Sequence, residues 1–258
     1  MNIKKMLSIY LRICRSRLSK AIPKKSDYFR YVSGRVGLEI GGPSSIFGIE
    51  LPVYKYAKRV DMLNFDSHTP WESNLSQNGR CNYFPGRVGN QYVGEATDLK
   101  LISAEQYDFV LSSNALEHIA NPFKALREWY RVTKTGGILI LILPNKYNNF
   151  DRRRQFTTLQ HLEDDFYSDV DEGDLTHLPE ILKDHDLSLD PLAGSYENFQ
   201  MRSYNNKYNR TLHHHVFDLP TAIEMLRRCG FKVVASTVSK SNLCLLAKKS
   251  TVEKNLTA

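Results

Sequence analysis

Short apolar runs recur from residue 34 onward, each bounded by glycine, proline or polar turn residues. The run over residues 36–40 ends at a glycine pair, and similar runs cover residues 57–63 and 107–111. Residues 138–143 are consecutive aliphatic residues, which only a strand covered on both faces tolerates. The pattern predicts a mostly parallel sheet with this last run near its centre.

Amphipathic segments lie between these runs and predict helices. Asn121 and Pro122 have the types preferred at a helix start, and the helical spacing that follows ends before Gly136-Gly137. A second helix is predicted over residues 221–229, with Gly230 as its stop. The remaining strand signals are a strand end at Tyr92-Val93 and two final strands, residues 231–235 and 242–247, joined as a hairpin near residues 240–241.

The composition is that of a folded globular chain, since 41% of the 258 residues are hydrophobic and 24% are charged. The net charge of +7 is concentrated, because residues 1–25 carry +8 and the rest of the chain carries −1. Nucleic-acid-binding proteins spread basic residues over a folded face, so we expect no nucleic-acid partner. The four cysteines form no C-x-x-C pair, which argues against a cysteine zinc site and favours a reducing, cytoplasmic compartment.

Residues 1–33 form a basic N-terminal segment in which Leu7, Leu11, Cys14 and Leu18 recur at helical spacing. Its apolar stretch is much shorter than the roughly 20 residues that cross a bilayer. Two interpretations stay open. The segment lies as an amphipathic helix on an anionic membrane, peripherally at the inner face, or it docks on its own domain.

Five motifs follow one another in a recognisable order: Leu38-Glu39-Ile40-Gly41-Gly42, Asp61, Gly94-Glu95-Ala96, residues 107–119, and Gly136-Gly137. In these motifs the chain resembles the class I S-adenosylmethionine-dependent methyltransferases, in particular their small-molecule, type 11-like branch. The resemblance covers residues 34–146 well and residues 216–249 more loosely. It implies an α/β fold with a doubly wound, mostly parallel, seven-stranded Rossmann-like sheet, and S-adenosyl-L-methionine as the cofactor.

The resemblance also implies roles for residues at the first two strands. The turn at Gly41 and Gly42 would approach the amino-acid end of the cofactor, and Glu39 beneath it would anchor the turn and meet the ammonium group. Asp61 lies 22 positions after Glu39, near the offset at which an acid meets a ribose. We therefore expect Asp61 to accept hydrogen bonds from the ribose hydroxyls.

Further roles fall after the third and fourth predicted strands. Glu95, with Ala96 beside it, would contact the adenine amino group. Ser112 would contribute to the cofactor site, and Asn114 would line the cleft where the methyl group is transferred. A nicotinamide enzyme is disfavoured because the sequence has no G-x-G-x-x-G motif.

Residues 147–215 are rich in acidic residues and contain six of the eight histidines. A stretch of this length is too long for a plain loop, so we expect a helical cap with helices near residues 158–162 and 175–182. His213 and His215 would share one face of an extended segment, with His214 opposite. Because histidine removes protons at neutral pH, we predict His213 or His215 as the general base.

Two other features of this stretch have competing interpretations. His177 and Glu180 lie three positions apart and could share a metal, but no H-E-x-x-H motif is present, so we expect hydrogen-bonded structural histidines and no metal. The basic run at residues 152–154, preceded by Asp151, is either a contact for a substrate phosphate or carboxylate or an ordinary helix start.

The sequence therefore predicts five segments: a basic N-terminal segment over residues 1–33, a cofactor-binding core over 34–146, a cap over 147–215, the rest of the core over 216–250, and a tail over 251–258. The expected activity is O-methylation of a small hydroxylated acceptor or a saccharide. The alternative is a methyltransferase-like module that binds or scaffolds without catalysis.

Overall fold

The computed structural model describes residues 25–71 and 79–249. The amphipathic pattern predicted for residues 7–18 and the tail at 251–258 lie outside these residues. Eight strands form one sheet in the order β3-β4-β2-β1-β5-β6-β8-β7. The strands are β1 (Val36–Ile40), β2 (Arg59–Asn64), β3 (Arg80–Phe84), β4 (Arg87–Val93), β5 (Tyr107–Ser113), β6 (Thr133–Pro144), β7 (Phe231–Val238) and β8 (Asn242–Lys249).

Helices and short turns connect the strands. The α-helices are α1 (Lys25–Val32), α2 (Ser45–Ile49), α3 (Val53–Tyr56), α4 (Pro122–Val132), α5 (Leu159–Tyr167), α6 (Leu178–Asp184), α7 (Tyr196–Tyr204), α8 (Asn206–Asn209) and α9 (Leu219–Arg228). Three 3₁₀ turns cover Leu116–His118, Lys146–Asn148 and Leu187–Leu189. Among the described residues, no helix is both long and apolar enough to span a membrane.

The fold class predicted from the sequence is confirmed, with one more strand than expected. Strands β4, β2, β1, β5 and β6 are parallel, and β7 and β8 form the predicted antiparallel hairpin at one edge. The additional strand is β3, which pairs antiparallel with β4 at the other edge. β1 lies between β2 and β5, so the strand order reverses at this point of the sheet. Ligands of open α/β sheets bind at such a switch point, outside the carboxyl ends of the strands.

Two apolar layers cover the sheet, which explains the continuous aliphatic run in β6. Leu139 and Leu141 pack with Trp129 and the helices α4 and α9 on one face. Ile138 and Ile140 pack with α1, α2 and α3 on the other. Alternate side chains of one strand point to opposite faces, so a strand buried on both must be apolar at every position.

Helix ends follow the sequence signals. Asn121 caps α4 by accepting a hydrogen bond from the backbone N–H of Lys124 at 3.0 Å, and Asp218 caps α9 through Thr221 at 2.8 Å. In the cap, Thr158 begins α5 by accepting from the N–H of His161 at 3.2 Å. The cap helices have a small apolar cluster of their own, which includes Ile181 and Phe199.

Candidate active site

The turn after β1 has the geometry of a ligand-binding glycine turn. Gly41 has a φ of +78°, and its N–H donates to the carbonyl oxygen of Leu63 at the end of β2. A Cβ on Gly42 would lie 2.3 Å from Cδ of Glu39, so only glycine fits. The turn therefore presents backbone to the carboxyl edge of the sheet, as predicted for Gly41 and Gly42.

Glu39 lies beneath this turn and is fully buried. Its carboxylate accepts hydrogen bonds from the N–H of Ser44 at 3.1 Å and from the hydroxyl of Tyr54. Burial raises the pKa of Glu39 to about 7, although the bonds from Ser44 and Tyr54 oppose that shift. The structure thus shows Glu39 anchoring the turn; its predicted contact with the cofactor stays a prediction.

Asp61 lies in the middle of β2, opposite Leu38 of β1, and is fully buried. Its carboxylate accepts from Arg59 Nε at 2.9 Å, the N–H of Asn90 at 2.8 Å and the hydroxyl of Tyr107 at 2.9 Å. These donors already use its acceptor capacity, so the geometry does not favour the predicted ribose contact.

Asn64 is the last residue of β2 and lies at the carboxyl edge itself. Its Nδ2 donates to the carbonyl oxygen of Gly42 at 2.9 Å, which joins the end of β2 to the glycine turn. Asn64 is therefore better placed than Asp61 for a ligand held by the turn. Asn64 carries no sequence signal for this role, because the side chain expected to meet a ribose is an acid.

Glu95 follows β4 at the same edge, and the cap reaches it. Nη2 of Arg210 lies 2.7 Å from Oε1 of Glu95, and Nη1 of Arg210 lies 3.1 Å from Oε2 of Glu172. Ala96 accepts a hydrogen bond from Trp129 Nε1 at 3.1 Å through its carbonyl oxygen. An adenine contact by Glu95 would have to share the carboxylate with Arg210.

Three polar residues lie at or just after the carboxyl end of β5, next to the end of β1. Ser112 is fully buried, and its Oγ has no hydrogen-bond partner among the described residues. Asn114 has a φ of +48° and an exposed side chain. Glu117, in the following 3₁₀ turn, is fully buried, and neither of its carboxylate oxygens has a partner in the described part of the chain. Buried polar atoms are normally paired, so these groups indicate a ligand or solvent site.

His213 lies against this turn, although it is 96 positions later in the chain. Its Nδ1 lies 2.5 Å from Oδ2 of Asp151, and its Nε2 lies 4.0 Å from Oε1 of Glu117. The ring of His118 stands edge-on to the ring of His213, with 4.5 Å between centroids. The structure thus places one histidine between two buried carboxylates.

The pKa values of this group follow from burial and charge. Burial alone would lower the pKa of His213, but Asp151 and then Glu117 outweigh it and raise that pKa above its ordinary value. Burial would raise the pKa of Asp151, yet His213 and Arg154 hold it at about 2. Burial raises the pKa of Glu117 to about 7, and His213 only partly opposes this. Asp151 is therefore the charged partner of His213, whereas Glu117 is a weaker acid than Asp151.

Arg154 fixes the position of these residues. Its side chain is buried, and Nη1 donates to Asp151 Oδ1 at 2.9 Å and to the carbonyl oxygen of His213 at 2.7 Å. Nε donates to Glu180 of α6 at 3.0 Å. The predicted basic run therefore divides: Arg154 is structural, while Arg152 and Arg153 form ion pairs with Asp186.

The structure separates His213 from His215, which were expected to share a face. His215 lies beside His161, His177 and Asp165, and its Nε2 contacts the carbonyl oxygen of Ala120 at 3.0 Å. Burial lowers the pKa of His215 well below its ordinary value. Arg154 binds the carbonyl oxygens of both His213 and His214, and this segment is not a strand, so the alternation of a regular strand does not apply.

Sequence reasoning missed Glu117 and Asp151 as members of this site. Glu117 stood within the family motif but without a role, and Asp151 stood beside a basic run. Only the long-range contact with His213 gives them their chemistry, and no local pattern predicts a contact across 62 positions.

These features fit S-adenosylmethionine as the cofactor. The turn at Gly42 leaves no room for a Cβ, and Ser112 and Glu117 offer unpartnered buried oxygens at the same edge. Gly41, Gly42, Asn64, Glu95 and Ser112 are the residues that would hold the cofactor.

The chain is similar to known methyltransferases. The family model described as "Methyltransferase domain" matches residues 62–141. No curated protein matches the sequence. A chain from the complex of the Haloferax volcanii Trm112 methyltransferase activator with a methyltransferase is 12% identical, with a TM-score of 0.50, over 90% of this chain and 93% of that one.

Two S-adenosylmethionine-dependent methyltransferases are also similar to the chain. The protein from Mesorhizobium loti is 12% identical, with a TM-score of 0.49, over 87% of this chain and 97% of that one. The protein from Listeria monocytogenes is 17% identical, with a TM-score of 0.47, over 88% of this chain and 97% of that one.

Proposed function

We propose that this chain is a class I S-adenosylmethionine-dependent methyltransferase that methylates a hydroxyl oxygen of a small polar acceptor, a saccharide included. The observation that carries the proposal is the buried pair of His213 and Asp151. Asp151 contacts Nδ1 of His213, and Nε2 of His213 faces Glu117, which follows β5 in the chain. A hydroxyl is a weak nucleophile until its proton leaves, so an oxygen acceptor needs a base of this kind.

The side chains divide the work. S-adenosylmethionine, when bound, supplies an electrophilic methyl group on a sulfonium. His213 Nε2 accepts the hydroxyl proton, while Asp151 holds Nδ1–H and stabilises the resulting imidazolium. The acceptor oxygen forms its bond to the methyl carbon as the carbon–sulfur bond breaks. The protein's main contribution is to hold the two reactants in line, and no covalent enzyme intermediate is needed.

The lining of the site supports a polar acceptor. Glu117, His118, Asp151 and His213 are all polar, and Glu117 has two unpartnered oxygens that hydroxyl groups would satisfy. A flat apolar acceptor would leave these groups buried without partners, at about 1–3 kcal/mol for each. A hydroxylated acceptor such as a sugar pairs with them.

The test is a search for the product. Small-molecule and glycan extracts are incubated with the protein and S-adenosylmethionine carrying a trideuterated methyl group, and labelled products are identified by mass spectrometry. A labelled methyl ether supports the proposal. Label found only on nitrogen, carbon, protein or nucleic acid contradicts it.

We also propose that residues 1–25, which carry a charge of +8, bring the enzyme to an anionic membrane. An acceptor assembled on that membrane, such as a lipid-linked sugar, would then lie close to the enzyme.

A further inference from the structure

A second cluster of histidines lies outside the active site. His161 and Asp165 are one turn apart on α5, and His177 directly precedes α6. His215 lies two residues after His213. Each offers one ligand atom, and these atoms all lie within 4.8 Å of one another. The cluster joins the two cap helices to the chain that returns to the sheet.

The distances in this cluster resemble those of a tetrahedral site. His161 Nε2 lies 2.9 Å from His177 Nε2 and 3.2 Å from Asp165 Oδ2. Tetrahedral zinc with bonds of about 2.0–2.1 Å has its ligand atoms about 3.3 Å apart. The two distances lie slightly below that value.

The protein's own hydrogen bonds do not satisfy the cluster. Two buried atoms of the cluster, Asp165 Oδ2 and His215 Nδ1, have no hydrogen-bond partner among the described residues. Water cannot easily pair with His215 Nδ1, because His215 is only 1% exposed. A hydrogen bond between neutral imidazoles explains the contact of His161 with His177, but it leaves these two atoms unpaired. A cation in the cluster would pair with a carboxylate oxygen and an imidazole lone pair.

The surroundings also suit a metal site. Metal-bound histidines usually donate their second N–H to a carbonyl or carboxylate. His215 Nε2 contacts the carbonyl oxygen of Ala120, and His177 Nδ1 lies 3.8 Å from Oε2 of Glu180. The side chain of His161 is 37% exposed, so an ion can enter from solvent.

We propose that His161, Asp165, His177 and His215 bind one divalent transition metal ion, zinc by the chemistry of the donors, which fixes the cap on the core. Three imidazoles and one carboxylate suit zinc better than magnesium or calcium, which prefer oxygen ligands. Because all four ligands come from the protein, the ion is structural. This site is separate from the base at His213 and does not depend on the proposed acceptor.

The experiment uses the full-length protein after removal of metal with a chelator. Zn²⁺ is titrated in competition with a chromophoric chelator, and Co²⁺ is added as a probe of coordination geometry. We expect one ion per chain, a tetrahedral Co²⁺ absorption spectrum and a higher melting temperature with Zn²⁺. Absence of stoichiometric Zn²⁺ binding would overturn the proposal.

Variants locate the ion. Asp165→Asn and His177→Gln should each weaken Zn²⁺ binding by about 100-fold or more. Changing a residue that only hydrogen-bonds to a metal ligand already lowers metal affinity by about 10–100-fold. The control is His185→Gln, because His185 is a buried cap histidine that pairs with Asp190 outside the cluster. If His177→Gln does not fold, Asp165→Asn has nearly the same shape and carries the test.

The trio Glu117, His118 and His213 is the other group of possible ligands among the described residues. Loss of Zn²⁺ binding in His213→Gln with full binding in Asp165→Asn would place the ion there and overturn the proposal. Equal binding by all variants would also overturn it.

Discussion

Glu117 lies in an environment that disfavours its own charge. It is fully buried, both of its carboxylate oxygens lack hydrogen-bond partners in the described structure, and burial raises its pKa to about 7. The groups that act on its charge are His213, which lowers this pKa, and Asp151, which raises it. A residue kept in such a state at the edge of a sheet is typical of a functional site, where stability is given up for chemistry.

Replacing Glu117 by Gln should therefore stabilise the protein as pH rises. The folded state binds a proton that the unfolded state releases between about pH 4.5 and 7, so wild-type stability falls through that window. The variant does not titrate there, and its advantage should approach about 3 kcal/mol above pH 7, on the order expected for such a shift. Urea unfolding of both proteins at pH 5 and pH 7.5 measures this.

Transfer activity of the same variant should fall, because the acceptor loses a basic partner. A stability difference that is the same at pH 5 and pH 7.5 would show that Glu117 does not titrate as described.

The positions of candidate site residues were predicted from the sequence only where a local motif carries them. The turn residues Gly41 and Gly42 and the anchor Glu39 lie where the motif placed them. Asn64 was missed, and Asp61 proved to be committed to Arg59, Asn90 and Tyr107. Spacing along the chain fixes which strand an acid occupies, but whether its oxygens are free depends on neighbours from other strands.

At the scale of elements, the turn between β1 and α2 depends on glycine at position 42, which has no side chain. A Cβ on Gly42 would approach Glu39 Cδ at 2.3 Å, and Glu39 cannot move because Tyr54 and Ser44 hold it. The turn would have to shift away from the end of β2. Since Asn64 donates a hydrogen bond to the carbonyl oxygen of Gly42, that shift would also disturb the carboxyl end of β2.

We expect Gly42→Ala to lower stability by about 1–3 kcal/mol, as overpacking usually does, and to weaken S-adenosylmethionine binding at least about tenfold. Calorimetric titration and thermal unfolding measure the two effects. The matched control is Gly48→Ala in α2, where the nearest atom to a new Cβ is 3.4 Å away and alanine favours the helix. Unchanged cofactor affinity in a folded Gly42→Ala variant would remove the turn from the binding site.

The strongest elements were readable from the sequence, and the weakest were not. Strand β6 and helix α4 were predicted because a long aliphatic run and a capped amphipathic segment have few alternative structures. Strand β3 was missed because its five residues, RCNYF, are a short and partly polar run, and its place depends on pairing with β4 and on the packing of Cys81 and Tyr83 in the core. In the cap, α5 and α6 were expected, whereas α7 has a mixed polar sequence and was not.

At the scale of the whole molecule, charge and fold are divided along the chain. The first 25 residues carry +8, while the rest carries −1. The sheet begins at Val36, after the basic segment. This arrangement suits a protein whose catalytic body is neutral and whose N-terminal segment provides the attraction to an anionic surface.

Deleting residues 1–24 should release the protein from vesicles that contain anionic lipid and leave S-adenosylmethionine affinity unchanged. Vesicle sedimentation at low and high salt, together with calorimetry, gives both results. Equal sedimentation of the full-length and shortened proteins would refute the membrane proposal. A lower melting temperature on deletion would favour docking of the segment on its own domain.

The base assignment is the central claim, and the rate of methyl transfer by His213→Gln tests it most directly. With an acceptor found in the labelled-methyl search, the variant should transfer the methyl group about 10²–10⁴-fold more slowly, the usual contribution of a general base. Its affinity for S-adenosylmethionine should match that of the wild type. A variant that binds the cofactor normally and transfers the methyl group at the wild-type rate would contradict the account.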